Sequence, residues 1–163
     1  MHTPRLASAP TDLATRYARL AEEIDSVLSG ENSLVARMAT VAAMLAAEFE
    51  HFFWTGFYVV DGDGEELVVG PYQGTLGCLR IRFGRGVCGV AAQTGQTQIV
   101  PDVEAFDGHI ACDSRSRSEV VVPVRNASGR LIAVLDVDST ELAAFSEADA
   151  SGLEDIVRRT FAA

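Results

Sequence analysis

The hydrophobic period of this chain changes near residue 50, and that change limits the folds open to it. Upstream, Leu13, Tyr17, Leu20, Ile24 and Leu28 recur at spacings of three and four, which predicts a helix over residues 11–28. Gly30 follows as a stop. A second helix begins after Asn32 or Ser33, with Leu34, Val35, Met38, Val41, Ala42, Leu45 and Phe49 along one broad face. Downstream the pattern becomes that of strands. Residues 52–60 are rich in aromatic and β-branched side chains, Asp61-Gly62-Asp63-Gly64 is a hairpin turn, and residues 66–70 return. In residues 78–83, Leu79, Ile81 and Phe83 alternate with Cys78, Arg80 and Arg82. A short helix over residues 87–94 ends at Gly95, and residues 97–100 form a further strand.

Residues 101–118 hold few apolar side chains and no period; a stretch that long inside a compact domain reads as a functional loop. Residues 119–125, the turn Asn126-Ala127-Ser128-Gly129 and residues 130–138 make a second hairpin. Ser146 with Asp149 resembles a capping box that opens a last helix, whose core side carries Leu153, Ile156, Val157 and Phe161. Helices, then hairpin-linked strands, then a helix predict an α+β fold: a mainly antiparallel sheet of about six strands with helices packed on one face. Residues 1–10, with two prolines, read as a loose arm, and residues 11–163 as one domain.

Composition narrows the function. A net charge of −10 argues against a nucleic-acid surface, which needs Lys and Arg to neutralise phosphates. No apolar run reaches membrane-spanning length, and Met1-His2-Thr3-Pro4-Arg5 lacks the apolar segment of a secretory leader, so a cytoplasmic location is expected. There, an odd count of three cysteines suggests transient, catalytic disulfides rather than a permanent framework.

Cys88, between Val87 and Gly89, suits a small buried hydrophobe. Cys112 lies instead in the polar loop Gly108-His109-Ile110-Ala111-Cys112-Asp113-Ser114, near His109, Arg115 and Arg117, which favour a reactive thiolate. Cys78 follows the glycine-flanked turn Gly74-Thr75-Leu76-Gly77; whether it comes within disulfide reach of Cys112 is a matter of fold. The cysteine spacings contain no C-x₂-C pair, so a zinc signal is weak. Gly84-Arg85-Gly86-Val87-Cys88-Gly89 matches G-x-G-x-x-G, but the preceding strand carries Arg80 and Arg82, unlike the buried first strand of a dinucleotide fold. These glycines read as a tight strand-to-helix turn.

Asp136 and Asp138 close the apolar run Leu131-Ile132-Ala133-Val134-Leu135, on the face shared with Ile132 and Val134. Two acids so placed either raise each other's pKa in a pocket or emerge into solvent. Glu119, at a strand start, reads as solvent-facing when taken alone. Thiols and strand-borne acids together suggest cysteine redox chemistry on a small polar substrate.

Five runs, Gly70-Pro71-Tyr72-Gln73-Gly74, Gly84-Arg85-Gly86-Val87-Cys88-Gly89, Gly108-His109-Ile110-Ala111-Cys112-Asp113, Ser118-Glu119-Val120-Val121-Val122-Pro123 and Leu135-Asp136-Val137-Asp138-Ser139, occur in an order that resembles the free methionine-(R)-sulfoxide reductases, single-domain proteins of the GAF fold. The resemblance implies reduction of free L-methionine (R)-sulfoxide without metal or organic cofactor. It implies Cys112 as nucleophile, Cys78 as resolving cysteine and Cys88 as a third, auxiliary one. Glu119, Asp136 and Asp138 match acids of the substrate pocket, and Trp54 and Tyr58 its aromatic residues. A thioredoxin-like reductant and a homodimer through the N-terminal helices are further implications. The rival expectation is a GAF-type sensor that binds a small ligand without catalysis.

Overall fold

Period and turn chemistry place nearly every element. The computed structural model describes residues 12–163; the predicted arm, residues 1–10, lies outside them. The order is α1 (Leu13–Val27), α2 (Leu34–Glu48), β1 (Trp54–Asp61), β2 (Glu66–Gln73), β3 (Arg80–Arg82), α3 (Gly86–Thr94), β4 (Gln98–Val100), β5 (Ser118–Arg125), β6 (Leu131–Ser139) and α4 (Glu147–Phe161), with a 3₁₀ turn at Val103–Ala105. The six strands form one sheet in the order β3-β2-β1-β6-β5-β4, with every pairing antiparallel. Among the described residues no helix is long and apolar enough to cross a membrane.

The alternation of side chains along β1, β5 and β6 divides the core in two. On one face Phe57, Val120, Val122, Leu135 and Val137 pack against Leu20, Ile24, Met38, Leu45, Leu153 and Ile156 of α1, α2 and α4. On the other, Tyr58, Val121 and Val134 pack against Val87, Cys88 and Ala91 of α3. The terminal helices therefore share one face, as predicted, and among the described residues α3 is the α-helix that covers the opposite one. Two local readings differ. Leu34 and Val35 are exposed, because α2 turns Met38, Val41, Ala42 and Leu45 toward the sheet instead. Ile132 joins the helix-side core, apart from Val134, because a register shift beside Val124 and Arg125 inserts it as an extra residue.

Asp149 ties the helix side together. Its carboxylate accepts hydrogen bonds from the Ser146 backbone N–H (2.8 Å), the Ser146 hydroxyl (3.0 Å) and the Tyr17 hydroxyl (2.8 Å), so this buried acid is well satisfied. The Tyr17 ring lies over Gly152, where an added Cβ would stand 2.2 Å from Cγ. Gly152→Ala should therefore lower the unfolding free energy by about 2 kcal/mol, since the ring cannot retreat without losing Asp149. The urea midpoint measures this, and an unchanged midpoint would refute a tight α1–α4 seam.

Candidate active site

Strand register builds the site on the α3 side of the sheet. Trp54, Asp138 and Glu119 face one another across β1, β6 and β5. In the next row of that face, Gly56 pairs with Asp136 and Asp136 with Val121. Like charges set directly opposite or diagonally on one face repel. Here they are also covered: α3 and the loop after β4 close over them, leaving Glu119 and Asp136 each 5 % exposed. Asp138 is half-buried. Glu119 is thus not the solvent-facing residue that its position at a strand start suggests, and the two aspartates line a pocket rather than open water.

The glycines of residues 84–89 make the cover possible. Gly84 and Gly86 adopt left-handed backbone, with φ of +81° and +59°. A Cβ on Gly89 would meet the Arg82 carbonyl oxygen at 2.4 Å, so only glycine lets α3 lie this close to β3. That approach lowers Cys88 onto the acids, its Sγ 3.9 Å from Glu119 Oε1. Cys88 is buried, as its sequence suggests, but among carboxylates rather than in plain hydrocarbon.

Trp54 and Tyr58 form the aromatic wall. Their rings stack with centroids 5.5 Å apart, and Tyr72 also stacks on Trp54, at 5.0 Å. The indole N–H of Trp54 donates to the Thr75 carbonyl at 2.9 Å, which holds the β2–β3 loop against the pocket. The pocket is a narrow cavity of about 40 Å³ in this disulfide-closed form, open to solvent at its mouth.

Cys112 stands at that mouth and is joined to Cys78 as a disulfide, with Cα atoms 5.3 Å apart. Their two loops are fastened by a link with no local sequence signal. Thr75 Oγ1 donates to Asp113 Oδ2 at 2.8 Å, and the Arg115 guanidinium grips both oxygens of the same carboxylate at 3.0 and 2.7 Å. These bonds hold the Asp113 carboxyl well below the usual range. His109, read in the sequence as a neighbour of Cys112 and a weak candidate zinc ligand, reaches inward, with Nε2 3.8 Å from Glu119 Oε2.

Burial governs the protonation states. Desolvation, reinforced by the nearby aspartates, pushes Glu119 well up. Desolvation with the charges of Asp136 and Asp113 does the same for Asp138. Asp136 is pushed up to about 6, again by burial, partly offset by hydrogen bonding to Glu119 and Cys88. The Cys88 thiol is raised by burial and by the surrounding carboxylates, and His109 is lowered by burial. Near neutral pH the cluster therefore holds proton donors beside one readily ionised acid, Asp136.

A model of the GAF domain matches residues 12–161. The GAF domain-containing protein A of Dictyostelium discoideum is 50% identical over 143 residues, 88% of this chain and 89% of that protein. The free methionine-R-sulfoxide reductase of Escherichia coli is 43% identical over 141 residues, 86% of this chain and 84% of its own length. The solved free methionine-R-sulfoxide reductase of Neisseria meningitidis, in complex with its substrate, superposes with a TM-score of 0.88 at 46% identity, covering 98% of this chain and 93% of that one. With its fold, its match along nearly the whole length and its kinship to two named reductases, this chain belongs to the free methionine-R-sulfoxide reductase family of GAF domains.

Proposed function

We infer that this protein reduces free methionine-(R)-sulfoxide to methionine, with Cys112 as nucleophile and Cys78 as resolving thiol. The observation that carries the reading is the closed Cys78–Cys112 pair at the mouth of a pocket floored by three acids. In the reduced enzyme the Cys112 thiolate attacks the sulfoxide sulfur. Glu119 or Asp138, held neutral, protonates the departing oxygen. The oxygen passes to Cys112 as a sulfenic acid and methionine leaves. Cys78 then displaces that oxygen as water, which forms the disulfide. Two electrons thus move from the two thiols to the substrate sulfur.

Asp136, as the anion, would grip the substrate ammonium, and the Trp54 and Tyr58 rings would enclose the methyl end. A methionine sulfoxide within a chain lacks that ammonium, and this would exclude it. The N-terminus of α3, where Gly86 and Val87 line the pocket, offers free N–H groups to the substrate carboxylate.

A thioredoxin-like dithiol would reopen the disulfide by exchange. Cys112 is exposed, and the neighbouring Leu76 and Leu79 are 78 % and 70 % exposed, an apolar rim suited to a protein reductant. A homodimer would use the exposed Val27, Leu34 and Val35 at the ends of α1 and α2. Sedimentation at the mass of a single chain would remove the dimer from this account.

Racemic free methionine sulfoxide with excess dithiothreitol tests the activity. About half should be consumed, one epimer only, and an N-acetylated peptide sulfoxide should persist. Consumption of none would instead indicate a ligand-binding module without catalysis.

A further inference from the structure

Three donor side chains converge on the pocket floor from separate elements, Cys88 on α3, Glu119 on β5 and Asp136 on β6, and His109 on the loop before β5 approaches Glu119. One donor atom each from Cys88, Glu119 and Asp136 lies within 4.8 Å of the other two. His109 Nε2 stands 3.8 Å from Glu119 Oε2, and Cys88 Sγ 3.9 Å from Glu119 Oε1. In a tetrahedral zinc site with bonds of about 2.0–2.3 Å, neighbouring donors sit roughly 3.3–3.7 Å apart. The Cys88–Glu119 spacing is thus already close to that of a metal shell, and His109, on the other oxygen of Glu119, stands within a side-chain rotation of joining it. A further observation points the same way: Asp136 Oδ1 is fully buried and has no hydrogen-bond partner. A buried carboxylate oxygen without a donor is costly, and a cation in the pocket would relieve it.

We propose that this cluster binds a thiophilic divalent cation of the zinc class, and that the bound ion closes the pocket to substrate. The ligand chemistry selects the metal. A thiolate and an imidazole favour zinc and cobalt over magnesium and calcium, which prefer oxygen shells. Binding exchanges the Cys88 proton, and any proton on the two carboxyls, for the metal, and those protons leave to solvent. No electron moves. The ion occupies Asp136 and Glu119, the same groups assigned to the sulfoxide. Exclusion of substrate rests on the reductase reading above; the metal binding does not.

The oxidised protein gives a clean test, because its disulfide hides Cys78 and Cys112 and leaves Cys88 as the free thiol. Cobalt(II) titrated into it should produce a near-ultraviolet thiolate-to-metal charge-transfer band that saturates at a single ion per chain, and zinc should bleach it. Cys88→Ser should abolish the band. His109→Ala, on a surface loop, and Asp136→Asn should each weaken binding by at least about tenfold. On the same oxidised protein, zinc should raise the apparent Kd for free methionine-(R)-sulfoxide by at least about tenfold, read by calorimetric titration. Absence of the band, or its survival in Cys88→Ser, would overturn the site. An unchanged affinity for the sulfoxide at saturating zinc would overturn closure of the pocket by the ion. Turnover measured with a chelator present tests the reductase reading separately.

Discussion

Cys112→Ser is expected to reduce steady-state methionine formation by at least about 10⁴-fold. A serine hydroxyl is not ionised near neutral pH and cannot accept the sulfoxide oxygen as a sulfenic acid does. The loop should stay in place, because its anchors are Asp113, Thr75 and Arg115 rather than the sulfur alone. Substrate binding should therefore survive, so the loss falls on kcat. Cys78→Ser separates the two thiols. With no external thiol it should form about one methionine per chain and stop at the Cys112 sulfenic acid, which a dimedone-type probe captures. Excess dithiothreitol should restore turnover to Cys78→Ser but not to Cys112→Ser. Normal turnover in Cys112→Ser would remove Cys112 from the nucleophile's role, and the buried Cys88 would then be the remaining thiol to test.

Asp136→Asn should make the protein more stable and far less active. Burial raises the folded-state pKa of Asp136 to about 6, against an ordinary value of 3.8. The native state therefore holds this proton more tightly than the unfolded chain does. The contribution is complete below about pH 4 and is lost as pH rises through about 6. A displacement of this size corresponds to about 3 kcal/mol of destabilisation by pH 8. Glu119 and Asp138, also raised, act in the same direction. The wild type should then resist urea better at pH 5 than at pH 8. Asn, neutral and nearly isosteric, should gain most at pH 8 and flatten the profile. The same change removes the proposed partner of the substrate ammonium and should lower kcat/KM by about 100-fold or more. A variant less stable than wild type at pH 8 would show that the carboxylate is satisfied rather than strained. Stability set aside for a binding site is a common exchange in enzymes.

The helices and hairpins were legible because their signals are local. Ser33 accepts a hydrogen bond from the Ala36 N–H at 3.2 Å, and Gly95 ends α3 in left-handed backbone. Strand ends were less legible. β2 runs on to Gln73, and β3 shrinks to Arg80–Arg82, which leaves Cys78 in a loop and Leu79 exposed. Pairing partners set those limits, and a single strand does not name its partner. The burial of Glu119 was hidden for a related reason. Its neighbours in sequence are ordinary, and α3 and the loop around His109 supply the cover.

From its order of residues alone, this chain determined its succession of helices and strands, its hairpin turns, the glycine-lined turn into α3 and the kinds of side chain available for chemistry. Each follows from spacing or backbone freedom within a few residues. Only the folded chain decided that Cys78 meets Cys112, that Cys88 settles on Glu119 and Asp136, and that three acids share a covered floor. Those outcomes depend on sheet register and on which segments close over the strands. They are contacts between residues tens of positions apart, formed by packing the whole chain rather than by any local preference.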